Sequence, residues 1–285
     1  GLLTGESAQF SNPVTVENIV GRVTGGNASI IDGLLAVDGN ANLYLLNPAG
    51  IFLGENTQLN LGGSFSASTA TGLTFGNELL DALGSNDYGQ LTGAPTGYVF
   101  DTETGAIVNA GDLAVTPGQS LTLLGGQVIN TGQLAASGGE VLVMAVPGEN
   151  RVRLSQDGSL LGLELETLPD TAPTAAFTPT TVPALLTGAG ALGMATDITV
   201  NPDGTVSLSG SSLQIPTDPG TAIVSGQLEA DSGNIGVLGE QIALVGATVD
   251  ASGDAGGGTI LIGGEELGNG AVPNAATTII DENSV

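Results

Sequence analysis

The chain has 285 residues, long enough for one large domain or two. Glycine supplies 47 of them and aromatics 3%, which argues against a compact core of large side chains, while 41% hydrophobic residues argue against disorder. Twenty-nine Asp and Glu against three Lys and Arg give a formal net charge of −26, which disfavours nucleic acid and anionic membrane surfaces and makes divalent cations the natural counter-ions.

Without His, Cys or Lys there is no Ser-His-Asp triad, thiolate, Schiff base or zinc cluster. Carboxylates and hydroxyls are the chemistry that remains. No apolar run reaches the ~18 residues of a transmembrane helix.

Residues 1–76 read as short strands parted by Gly, Asn, Asp and Ser. Their apolar centres are Ile30-Ile31, Leu34–Val37, Leu43–Leu46, Ile51–Leu53 and Leu59–Leu61. Between two of these strands lies Asn47-Pro48-Ala49-Gly50-Ile51. Asn-Pro initiates a turn and Gly50 supplies a conformation other residues resist. By physics alone it is a β-turn between buried strands. Further on, Glu78–Leu83 reads as a single helical turn or a loop excursion.

Repetition follows. Gly111-Asp112-Leu113-Ala114 recurs as Gly132-Gln133-Leu134-Ala135, and Gly226-Gln227-Leu228-Glu229 as Ala247-Thr248-Val249-Asp250, 21 residues later in each case. Three short strands per 21 residues make one coil of a parallel β-helix, with coils about 4.8 Å apart. Leu113 should stack on Leu134, and Leu228 on Val249, with Gly132, Gly226 and Gly246 at corners of positive φ. A β-sandwich is the rival, disfavoured by the fixed period. Residues 165–195 break the rhythm with Pro169, Pro173, Pro179 and Pro183, reading as a loop with a short helix over Ala184–Ala195. Ile198–Val200 and Thr205–Leu208 then read as a β-hairpin.

The chemical candidates are few. Glu229 and Asp250 should stand roughly 5 Å apart on the outer face of adjacent coils, near the spacing of a retaining glycosidase pair. A calcium bridge and a plain solvated surface are the other readings. With no Trp and three Tyr, platforms for sugar rings are scarce. Gly253–Gly258 is one untandemed copy of a glycine-rich calcium repeat, or a turn. Arg22 contacts a partner or pins a turn; Arg151 and Arg153 share a strand face and should pair with local acids.

The Asn47–Ile51 segment resembles the Asn-Pro-Asn-Gly-Ile motif of the two-partner secretion domain that opens filamentous haemagglutinin-type exoproteins. Both flanks match, Ile19–Gly26 before it and Leu59–Ala70 after it. Together with Asp250–Gly253 and Gly256–Gly264, the pattern resembles the cyanobacterial-type members. Ala49 replaces the usual Asn. The earlier Asn-Pro-Asn-Leu motif is represented by Asn12-Pro13-Val14 alone, and the N-terminal cap is not visible. A chain beginning at Gly1 without a leader is therefore expected to be a fragment or a processed form.

The resemblance implies a secreted, non-enzymatic surface adhesin, exported through a dedicated outer-membrane β-barrel transporter. Asn47, Pro48, Gly50 and Ile51 would form the secretion motif. The absence of Cys agrees with threading an unfolded chain through a pore. The expectation is an all-β, single-stranded, right-handed parallel β-helix with extra strands. Its regions are 1–100 (two-partner-secretion-like), 101–164 (coils), 165–195 (loop) and 196–285 (hairpin and further coils). No cofactor is expected beyond Ca2+ at Glu229 and Asp250, and the partners are the transporter and a cell-surface or glycan target. The alternatives are a carbohydrate-active enzyme and a structural filament segment.

Overall fold

Three to six residues between turns suffice for one side of a narrow coil, with alternate side chains pointing inward. In the structure, a computed structural model, such strands stack into a parallel β-helix. It describes residues 1–101, 104–154, 164–167, 198–200, 206–208, 214–215, 218–254, 256–264, 272 and 274–285. The expected loop and helix within 165–195 lie outside these, apart from the strand residues up to 167.

The first coil comprises β1 (Ser7–Phe10), β2 (Asn18–Arg22) and β3 (Ser29–Ile31). The second comprises β4 (Leu34–Val37), β5 (Asn42–Leu46) and β6 (Ile51–Leu53). The third opens with β7 (Gln58–Asn60) and β8 (Phe65–Ser68). It departs through β9 (Gly72–Phe75), β10 (Glu78–Asp81) and β11 (Gly97–Phe100), then closes with β12 (Ala106–Asn109). The fourth is β13 (Leu113–Ala114), β14 (Leu121–Gly125) and β15 (Gln127–Asn130). The fifth opens with β16 (Gln133–Ala135) and β17 (Glu140–Ala145). A second departure carries β18 (Asn150–Arg153), β19 (Glu164–Thr167), β20 (Ile198–Val200), β21 (Val206–Leu208) and β22 (Gln214–Ile215), and β23 (Thr221–Val224) closes the coil. The sixth is β24 (Gln227–Glu229), β25 (Asn234–Leu238) and β26 (Gln241–Leu244), and the seventh β27 (Thr248–Asp250), β28 (Thr259–Ile262) and β29 (Thr277–Ile280).

Each face is a parallel ladder. One seven-stranded sheet runs β2-β5-β8-β14-β17-β25-β28 and a second β3-β6-β12-β15-β23-β26-β29. The third face is in two pieces, β1-β4-β7 and β13-β16-β24-β27. The 21-residue period holds where Leu113 is opposite Leu134 and Leu228 opposite Val249, and across the second departure Leu134 is still opposite Leu228. Leu113, Leu134 and Leu228 are buried in the interior with Ile107, Leu121 and Val143.

One glycine expectation needs correction. Gly246 does take positive φ, at 63°, but Gly132 and Gly226 do not. Their reason is close approach. A β-carbon on Gly132 would run into the carbonyl oxygen of Gly111 in the coil before, and one on Gly226 into that of Gly132. Gly139, Gly233 and Gly258 form a second such column at another corner, where a β-carbon on Gly233 would strike Gly139 and one on Gly258 would strike Gly233. Stacked coils bring backbone against backbone at the bends, and only a residue without a β-carbon fits.

The two departures meet outside the helix. β10-β9-β11-β18-β19 form one antiparallel sheet, with Tyr98 opposite Val152 and Leu73. Its inner face buries Leu73, Tyr98, Phe100 and Val152 against the outward side chains of the β2-to-β28 sheet, among them Leu124, Leu142, Met144 and Leu238. The Tyr98 hydroxyl lies 2.7 Å from Ser66 Oγ, and burial pushes its phenol well above the ordinary value. This second core explains how large apolar residues on the outside of a coil are tolerated. It also decides between the two readings of Glu78–Leu83: the segment belongs to an excursion from the coil and is not a helical turn. Glu78–Asp81 is a strand paired with Gly72–Phe75, with Leu80 buried and Leu79 exposed, as two-residue alternation requires. The hairpin expected near residue 200 forms between β20 and β21.

Candidate functional site

The segment Asn47–Ile51 closes the corner between β5 and β6. Asn at the first position, Pro at the second and Gly at the fourth are the residues a type I turn favours. The Gly50 N–H donates to the Asn47 carbonyl at 3.0 Å, and the Ala49 N–H to Asn47 Oδ1 at 3.1 Å. Gly50 has φ 128°, accessible to glycine.

Asn47 also ties this coil to both neighbours. Its Nδ2 donates to the Asn27 carbonyl (3.0 Å) and Ser29 Oγ (2.9 Å) in the coil before, and its N–H to the Ser68 carbonyl (2.9 Å) in the coil after. Both flanking motifs are thereby adjacent in space: Leu46 is opposite Arg22 on one side and Ser68 on the other. The first departure returns onto this turn. The Gly105 N–H donates to the Pro48 carbonyl at 2.8 Å, and a β-carbon on Gly105 would come within 2.5 Å of the Ala49 carbonyl carbon. All five residues, Asn47, Pro48, Ala49, Gly50 and Ile51, are consequently buried, Asn47 at 1% exposure and Ile51 at 0%. Ala49 contributes its backbone N–H to the turn.

Glu229 and Asp250 lie elsewhere, in register on the third face of the sixth and seventh coils. Glu229 accepts from Gln133 Nε2 at 2.8 Å. Asp250 accepts from the Ser252 N–H at 2.8 Å, and Ser252, through side chain and backbone, holds its carboxyl below the usual range. Among the described residues no group of three or more acidic side chains is placed to hold a metal ion. At the glycine-rich stretch, the Gly256 N–H closes a turn on the Gly253 carbonyl (3.1 Å), and Ser232 Oγ donates to the Gly256 carbonyl (2.9 Å).

Arg22 pins a loop. Its guanidinium donates to the carbonyls of Asp81 (2.8 Å) and Gly84 (2.9 Å) and to the Tyr88 hydroxyl (2.9 Å), beside the Tyr88 ring. Arg151 and Arg153 are set opposite Glu166 and Glu164 by the β18–β19 register. Every arginine of this acidic chain therefore serves the covering sheet.

A buried acid escapes sequence reading because it begins an apolar strand. Glu140, 8% exposed, faces outward on β17 opposite Asn234. Burial raises its carboxyl from the ordinary 4.5 to about 7. The folded chain thus holds this proton more tightly than the unfolded chain. The contribution of Glu140 to stability is therefore most favourable below pH 4.5 and declines as pH rises towards 7. Glu140→Gln is expected to raise stability at pH 8 by up to about 3 kcal/mol and to be nearly neutral at pH 4, as read by urea denaturation at the two pH values.

No curated protein matches the chain. Among solved structures it is similar to the HMW1 secretion domain from Haemophilus influenzae, at 19% identity over 98% of this chain and 72% of that one, with a TM-score of 0.46. The profile of the TPS secretion domain matches residues 2–171, the stretch that holds the Asn47 turn, both its flanks, the first five strands of the β2-to-β28 ladder and the first four of the β3-to-β29 ladder, and the chain belongs to the TPS secretion domain family.

Proposed function

We propose that the Asn47–Ile51 turn acts in export while the chain is unfolded or folding, and that the folded exoprotein is a non-enzymatic surface adhesin. As a member of its family the chain is part of an exoprotein exported by two-partner secretion, with a dedicated outer-membrane transporter as partner. Among the described residues no helix is long and apolar enough to cross a membrane.

The burial of the turn carries the reading. Asn47, Ala49 and Ile51 offer no surface once Gly105 has docked, so a transporter that reads them must do so earlier. The N-terminal coils, residues 1–100 with the first departure, would emerge and fold first, and each later coil would template on the open ladder before it. The non-enzymatic reading is supported by Asp250 and Glu229, whose carboxylates are occupied by hydrogen bonds from Ser252 and Gln133.

The test is release of the complete exoprotein from cells with and without its transporter, for wild type, Asn47→Ala and Gly226→Ala. Asn47→Ala should abolish transporter-dependent release. Gly226→Ala weakens the folded helix far from the turn and should largely retain it. Equal loss in both variants would reduce the motif to a stability element.

A further inference from the structure

We infer that the groove beside the first two coils is a binding site for a short neutral saccharide. The groove has a volume of about 450 Å3 and is walled by Val14 and Val16, by Glu17, Asn18, Asn40 and Asn42, and by Ala94 of the first departure. That volume is in the range of small-molecule sites. It lies on the folded surface, apart from the buried Asn47 turn, so the inference is independent of the export reading.

The polar groups are oriented before any ligand arrives. Asn18 and Asn42 are register partners on β2 and β5. The Ser64 N–H donates to Asn42 Oδ1 at 2.8 Å, which fixes the amide of Asn42. Asn42 Nδ2 then donates to Asn18 Oδ1 at 2.9 Å, and this turns the Asn18 NH2 group away from its neighbour. Asn40 has its own seat, since a β-carbon on Gly62 would come within 2.5 Å of Asn40 Oδ1. Among the described residues the Asn18 Nδ2, the Asn40 amide and the Glu17 carboxylate have no hydrogen-bond partner.

The groove therefore offers a donor, a donor–acceptor amide and a bidentate acceptor, next to the apolar Val14, Val16 and Ala94. Vicinal hydroxyls are donors and acceptors at once, and the C–H faces of a sugar ring are apolar, so a polyol satisfies every wall. Charge selects among sugars. The chain carries −26, and the nearest cation on the same strand, Arg22, is bound to the loop at Asp81–Tyr88. Anionic glycans are repelled and neutral ones accepted. Val14, 95% exposed and the most exposed large apolar side chain of the described residues, becomes a lip that a bound ring would cover.

The experiment is ligand-observed NMR of the chain with lactose, maltotriose, mannotriose and spermidine, at low and at physiological salt. Binding of at least one saccharide is expected, with affinity insensitive to salt. Asn18→Asp keeps the acceptor for Asn42 but loses the donor. Glu17→Gln keeps the shape but loses the carboxylate. Each should weaken that binding about ten-fold, the scale of one hydrogen bond, with the β-sheet circular dichroism unchanged. No saccharide binding by the wild type would overturn the inference. So would saccharide binding that both variants retain in full, or binding confined to spermidine and lost with salt.

Discussion

Replacing Asn47 by Ala is expected to cost the folded chain about 3 kcal/mol, a large share of the stability of a typical domain. The side chain has no apolar bulk to lose, so the effect is one of hydrogen bonds. Truncation strands the Ala49 N–H, the Asn27 carbonyl and Ser29 Oγ together. The Ala49 N–H is the most costly of the three, because it lies under the docked Gly105 where water does not reach. Leaving one buried group unpaired costs about 1–3 kcal/mol. Urea denaturation of the purified chain would show the loss as a shift in midpoint with an unchanged slope. The turn should open with it, so amide exchange at Ser29 and Gly105, whose N–H groups bond to Gly50 and Pro48, should accelerate in the variant. A loss below about 1 kcal/mol would mean that water replaces the side chain and that the turn is held by its backbone.

The second large effect belongs to a glycine. Gly226→Ala should destabilise by about 3 kcal/mol or more, because the new methyl meets backbone that cannot move aside. Besides the Gly132 carbonyl oxygen, it would come within 2.7 Å of the Thr131 carbonyl carbon. The same place carries ladder bonds between coils: the Gln227 N–H donates to the Gly132 carbonyl at 3.0 Å and the Ser225 N–H to the Asn130 carbonyl at 2.8 Å. Relief of the clash separates two coils and breaks these bonds. Gly118 is the comparison. It has φ 82° with open space around it, so Gly118→Ala incurs only the left-handed strain of roughly 1–2 kcal/mol. Thermal unfolding of the two variants side by side separates the causes. Equal destabilisation would remove the stacked-corner explanation.

The coil was legible because its signal is periodic. Gly-x-Leu-Ala returning after 21 residues places Leu113 on Leu134, and the structure has them as register partners. The positive-φ assignment of Gly132 and Gly226 failed for a physical reason. A glycine in sequence reports that something forbids a β-carbon, but not whether it is the residue's own backbone or its neighbour's. The covering sheet was hidden because it has no period. It joins Gly97–Phe100 to Asn150–Arg153 antiparallel, and neither segment resembles the other. The turn at Asn47 was legible as a turn, whereas its burial depends on Gly105, which reaches it from beyond the first departure. Glu140 was silent for a similar reason. It stands at the polar start of Glu140–Ala145, an otherwise apolar strand that is buried throughout.

Both departures leave through one corner, between the β2-to-β28 sheet and the β3-to-β29 sheet, and both rejoin without disturbing the count. Leu134 meets Leu228 as faithfully as Leu113 meets Leu134, although one step contains the whole second departure and the other none. That corner works as a port. The ladder needs only that a strand return opposite its partner, and it is indifferent to how much chain lies between. Foreign peptides spliced between Ala145 and Thr221, or between Ser68 and Ala106, would be carried on the flank of the rod, and the coils on either side would continue to stack.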